Sequence, residues 1–144
     1  MAKIERTIEI NAPVEKVFAY IAEPMSMLEY LPEMMEVKDV DLNEEGVGSR
    51  YRWSYKLAGI RFEGESVVTE FVPNRRRVSK TKRGIVSTWA WNFEASDSGT
   101  KLSLTVEYAI PVPVLGKLGE AFMLRQQEAM ADLVMANIKA RMER

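Results

Sequence analysis

The sequence predicts an α+β fold: a curved antiparallel β-sheet wrapped around a long C-terminal helix, with two short helices after the first strand. Three observations predict it. Several segments alternate polar and apolar side chains at a period of two, as half-buried strands do. The connections between them are short and turn-like, which suits an antiparallel meander and not a parallel sheet. Residues 114–142 contain no proline and are rich in helix formers.

The elements follow in order. Ile4, Ile8 and Ile10 alternate with Glu5, Thr7 and Glu9, giving a first strand. Pro13 suits the first position of a helix, where its missing N–H costs nothing. Val14, Val17, Phe18 and Ile21 then recur at helical spacing, so a helix runs from Pro13 to Ala22 and stops at Pro24. A second short helix covers Met25 to Tyr30, before Pro32. Met35 to Leu42 reads as a strand, and Gly46-Val47-Gly48 as a turn. In residues 49–57, Tyr51, Trp53, Tyr55 and Leu57 share one face. Ala58-Gly59 turns the chain into a strand over residues 60–72. A short strand lies near Val78, followed by a turn at Arg83-Gly84. Ile85, Ser87, Trp89, Trp91 and Phe93 alternate along the next strand. Leu102, Leu104, Val106, Tyr108 and Ile110 form the last one. The closing helix carries Leu115, Leu118, Phe122, Ala129, Leu133, Ala136 and Ala140 on one stripe. At 1.5 Å per residue it spans about 43 Å.

Length and composition narrow the functions open to such a fold. The 144 residues are read as one domain, residues 1–144. The chain has no cysteine and no histidine. That removes thiol nucleophiles, histidine-based triads, and thiolate or imidazole metal sites. Proton transfer is left to Asp, Glu, Lys, Tyr or water. No cofactor or metal is expected. The net charge is −1, so no overall field favours nucleic acid, and none is expected as a partner. The charged, alternating N-terminus has no apolar run like a signal peptide, and a cytoplasmic location is expected.

A twisted antiparallel sheet has one apolar face to cover, and a straight helix cannot follow its curve everywhere. A cavity between them is expected, and such places are common ligand sites. Four stretches carry a resemblance: IEINAPVEKVFAYIAEP at 8–24, GVGSRY at 46–51, VVTEFVPNRR at 67–76 and SGTKLSLTVEYAIPVPVLGKL at 98–118. In these the chain resembles the polyketide cyclase/dehydrase-like branch of the START-like, or Bet v 1-like (SRPBCC), superfamily. The resemblance implies the helix-grip fold and a hydrophobic cavity for lipids, polyketides or similar molecules. It does not imply one activity, since members include carriers, cyclases, hydrolases and chaperone-associated domains.

The aromatic faces supply the candidate ligand-binding residues: Tyr51, Trp53 and Tyr55 on one strand, Trp89 and Trp91 on another, and Tyr108 on the last. Phe122, Gln126 and Met130 are expected to face them from the long helix, with Gln126 as the polar member. The plain alternative for all of these is core packing. Indole N–H and phenol O–H groups need partners when buried, so many on one face favour a pocket with polar content. Met25, Met27, Met34 and Met35 read as core filling or as a flexible lid. Arg6 shares parity with three isoleucines, so it needs a carboxylate partner or the ligand itself.

Residues 75–83 hold six basic side chains. They read either as a solvated edge strand guarded by charge or as an anionic membrane contact through Arg75, Arg76 and Arg77. Gly46-Val47-Gly48 is not a phosphate loop, because it leads into a strand and not into a helix N-terminus. Glu107 alternates outward, and the parity of Glu63, Glu65 and Glu70 is not fixed by the pattern, so no catalytic residue is assigned. The leading expectation is binding of a small hydrophobic or amphipathic ligand. The alternatives are a cyclase, dehydratase or hydrolase using the same cavity, and a protein-interaction module.

Overall fold

Alternation of apolar and polar side chains sets the strands, and their register sets everything else. The computed structural model describes residues 2–57, 59–83, 85–109 and 116–144, and of residues 116–118 and 120 only the backbone. The strands are β1 (Ala2–Ile10), β2 (Met34–Asp41), β3 (Arg50–Leu57), β4 (Ile60–Val72), β5 (Arg76–Thr81), β6 (Ser87–Ser96) and β7 (Gly99–Tyr108). They form one antiparallel sheet in the order β1-β7-β6-β5-β4-β3-β2. Consecutive strands are neighbours throughout β2 to β7, as short turns dictate, and β1 closes against β7. The helices are α1 (Val14–Ala22), α2 (Met27–Tyr30) and α3 (Gly116–Met142), with a single 3₁₀ turn at Pro24–Ser26 before α2. The expected ends at Ile110, Pro111-Val112-Pro113, Val114 and Leu115, and the side chain of Leu118, lie outside the described residues. So do Ala58 and Gly84 in the two turns.

The core fills the space between the sheet's inner face and the helices. Phe18 of α1 packs edge-on against Phe71 and Phe93, with ring centroids 5.2 and 4.9 Å apart. Gly46, at φ +83°, is required where the chain passes over the Phe71 ring, which any Cβ there would strike. The C-terminal half of α3 buries Val134, Met135, Ile138 and Met142 in the same core. Polar ties fasten it: Lys139 Nζ donates to the Glu9 carbonyl at 2.8 Å, and Asn137 Nδ2 to the Tyr30 carbonyl at 3.2 Å. Glu143 accepts from the Asn11 N–H at 2.8 Å.

The face of α3 differs from the expected stripe. Phe122 is 59% exposed and Leu133 45%, and Gln126, Ala129, Ala136 and Ala140 face solvent too. The buried face runs through Met123, Ala131, Val134 and Ile138, about one residue, or 100° of helical rotation, away. Apolar residues lie on several sides of this helix, so its stripe does not stand out. The basic stretch also differs. β5 is an interior strand between β4 and β6, and the sheet's edges are β1 and β2.

Candidate functional site

The N-terminal half of α3 lies over the sheet where the polar ties end, and a cavity opens between them. Its space open to the centre of a water molecule is about 80 Å³. A single water needs roughly 10–15 Å³ by that measure, so the cavity has room for several.

The register builds its floor in rows, because side chains on one face of neighbouring strands line up. One row crosses the sheet as Tyr51, Ser66 and Thr81, then Ser87 and Tyr108. Its hydroxyls are linked. Trp53 Nε1 donates to Ser66 Oγ at 3.0 Å, Ser66 Oγ lies 3.1 Å from Thr81 Oγ1, and Ser87 Oγ donates to Thr81 Oγ1 at 3.2 Å. The next row carries Ser79, Trp89 and Val106, and the one after it Arg77, Trp91 and Leu104. Gly64 stands opposite Trp53, where a Cβ would overlap the indole and the Arg83 carbonyl. Glycine at 64 therefore leaves room for the ring to approach β4. Met27, Tyr30, Leu31 and Met34 close one side, and Gln127 of α3 closes another.

Every ionisable group among the described lining residues is a tyrosine or Arg77. Burial pushes the Tyr55 hydroxyl up to about 12; nearby Glu33 adds to the shift and the Gln127 amide opposes it. Burial raises Tyr30 as well, with Arg77 pulling the other way. Tyr108 is raised by burial and by Glu128. These phenols keep their protons at neutral pH, so they act as hydrogen-bond donors and not as bases. Two buried polar atoms lack a hydrogen-bond partner among the described residues: Tyr108 Oη and Arg77 Nε. Among the described residues there is no cluster of three side chains fit to hold a metal.

Of the nine candidate residues, Tyr51, Trp53, Tyr55, Trp89, Trp91 and Tyr108 line this cavity. Phe122 and Gln126 do not. They sit on the outer side of α3, and Gln127 is the helix amide that faces inward. Met130 is half-buried and packs against the core without lining the cavity. Of the methionine cluster, Met27 and Met34 line it while Met25 and Met35 are exposed.

The three arginines expected to offer a membrane contact part company. Arg77 is buried inside, Arg76 is engaged by Glu70 at 2.7 Å and Asn92 at 2.9 Å, and Arg75 is exposed. Alternation explains it: Arg77, Ser79 and Thr81 point inward while Lys80 and Lys82 point out. Arg6 meets the carboxylates it needs, Asp132 Oδ1 at 2.6 Å and Glu128 Oε2 at 3.5 Å, both on α3. Glu63 and Glu70 face solvent, and a bulge between Val68 and Glu70 is what obscured their parity.

The model of one protein family, described as polyketide cyclase / dehydrase and lipid transport, matches residues 1–143. The chain belongs to this family. No curated protein matches it. Solved structures share the fold of this family member. A protein from Thermus thermophilus, TTHA0849, superposes with a TM-score of 0.84 at 20% identity, covering 98% of this chain and 97% of that one. The Zhui aromatase/cyclase from Streptomyces sp. R1128 gives 0.76 at 20% identity, covering 99% and 94%. A START superfamily protein from Mycobacterium smegmatis gives 0.77 at 14% identity, covering 98% and 97%. The hydrophobic cavity of this family member gives it a general ligand-binding role.

The pattern in the sequence missed the cavity's polar floor. Ser66 was hidden by the bulge in β4, and Arg77, Ser79 and Thr81 by the charges between them. Ser87 stands in the alternation of its own strand, which is the signal that finds it.

Proposed function

We propose that the protein binds one small amphipathic molecule in the cavity between the sheet and α3. The observation that carries this reading is the lining itself. Three tryptophans and four tyrosines surround a space with a linked hydroxyl floor, and no lining residue among those described is a carboxylate or lysine. Aromatic walls take up an apolar body with little loss of side-chain freedom, and a few fixed donors orient it. The family description, which includes lipid transport, supports this.

A second reading has its own support. The same description includes cyclases, and a matching fold carries the name aromatase/cyclase. Arg77 and the protonated tyrosines suit polarisation of a carbonyl, while the cavity holds a reactive chain in a folded shape. No described lining group near neutrality serves as a base, so such a reaction would take its proton transfers through water.

Native mass spectrometry of gently purified protein tests the first reading. An added mass of one small molecule, lost when Ser79→Phe fills the cavity, is the expected result. A bare mass, together with no binding of any amphiphile, would overturn it. Turnover of an added poly-β-ketone substrate would bring the second reading forward.

A further inference from the structure

Two arginines enter the inner face of the sheet in one row. Arg6 of β1, Leu104 of β7, Trp91 of β6 and Arg77 of β5 are successive register partners. At about 4.8 Å per strand, the two arginines stand roughly 14 Å apart across the sheet. Their surroundings are opposite. Arg6 is partly exposed at the rim and meets two carboxylates of α3. Arg77 is 4% exposed, and none of the ion pairs among the described residues includes it. Its Nε has no hydrogen-bond partner among those residues.

A fixed charge withdrawn from water needs a counter-charge or a full set of hydrogen bonds. Arginine cannot escape by losing its proton. Its nearest inward neighbours are neutral: Trp91 across the strand pair and Ser79 two residues on. Phe71 flanks it from β4. No described residue of this shell supplies the negative charge, and the cavity is the open side.

We propose that Arg77 anchors the anionic head of the cavity's ligand, and that this ligand is an apolar monocarboxylate. The inference rests on the cavity-binding reading and names the class of molecule it takes. One guanidinium is the only cation among the described lining residues, so it balances one negative charge. A phosphate dianion would keep a second charge uncompensated. The planar fork of arginine matches two carboxylate oxygens with two parallel N–H bonds. From Arg77 to the Thr81–Ser87 hydroxyls is four residues along β5, about 13 Å of strand. Trp89 and Trp91 stand beside that path, which suits an extended or ring-bearing apolar body.

The test compares laurate, dodecanol and dodecyl phosphate by isothermal titration calorimetry. The proteins are the wild type, Arg77→Met and Arg77→Lys, each confirmed as folded by circular dichroism. A charge-assisted pair gives at least about a tenfold preference for laurate over dodecanol in the wild type. In Arg77→Met the laurate and dodecanol affinities should converge, removing that preference, and Arg77→Lys, which keeps the charge but not the planar fork, should retain only part of it. Equal binding of laurate and dodecanol by the wild type overturns the inference and leaves the cavity reading standing. So does a preference that survives in folded Arg77→Met. Tighter binding of dodecyl phosphate than of laurate overturns the monocarboxylate assignment. Binding of none of the three overturns the inference and the cavity reading together.

Discussion

Replacing Arg77 by methionine should make the protein, stripped of lipid, more stable. The wild type holds a guanidinium that is 4% exposed and has no carboxylate beside it among the described residues. Leaving a buried charge uncompensated costs about 3–5 kcal/mol in a dry interior. This cavity can admit water, since its 80 Å³ has room for several molecules and its hydroxyl floor offers them partners. With water within reach of the guanidinium, the cost falls towards that of an unsatisfied buried donor, roughly 1–3 kcal/mol. Methionine keeps a similar reach and adds apolar contact with Trp91, while the small volume it gives up joins a space already open. For a chain of this size each kcal/mol moves Tm by about 2–4 °C, so the expected rise is roughly 2–12 °C. Scanning calorimetry on delipidated protein at neutral pH measures it. With laurate at a hundred times its dissociation constant, the wild type gains about 2.7 kcal/mol and the variant less, so the order narrows or reverses. A fall in Tm of comparable size on Arg77→Met in stripped protein would refute the reasoning. It would show that the protein's own groups satisfy the guanidinium.

Three further outcomes are expected. Ile138→Ala should cost about 2–5 kcal/mol and Leu133→Ala less than about 0.5, because Ile138 is fully buried while Leu133 is 45% exposed; urea unfolding midpoints decide between the two helix faces. Gly64→Ala should destabilise by about 1–3 kcal/mol and shift tryptophan emission, because the new methyl displaces the Trp53 indole from its bond to Ser66. Stability should also fall at alkaline pH. Tyr55 is raised from about 10 to about 12 by burial, so the unfolded chain loses that proton first. Its contribution is complete below about pH 10 and is lost as pH rises towards 12. Tyrosinate absorbance and circular dichroism followed together should show ionisation and unfolding coinciding, with a shallower slope in Tyr55→Phe.

The sheet was readable because alternation survives wherever one face is buried and the other wet. Tyr51, Trp53 and Tyr55 kept step on β3, and Trp89 and Trp91 on β6, so the aromatic wall was legible with the strands. Arg6 was legible too, as a charge out of place among isoleucines. The same logic failed on β5. Arg77 sits among Arg75, Arg76 and Lys80, and a run of charge looks solvated whichever way its members point. Only the register, which places Arg77 opposite Trp91, separates it from its neighbours. On α3 the failure was geometric. A shift of one residue turns a helix by 100°, and leucines, alanines and methionines on several sides gave no sharp stripe to fix the angle. Phe122 and Gln126 were placed inside on that account, and Gln127 was missed.

The central claim is that a ligand sits in the cavity against the aromatic wall. Quenching of tryptophan emission by a brominated fatty acid tests it most directly, because all three tryptophans line that space. The account requires saturable quenching at one acid per chain, abolished when Ser79→Phe fills the cavity. Quenching that never saturates, or that persists unchanged in the filled variant, would contradict it.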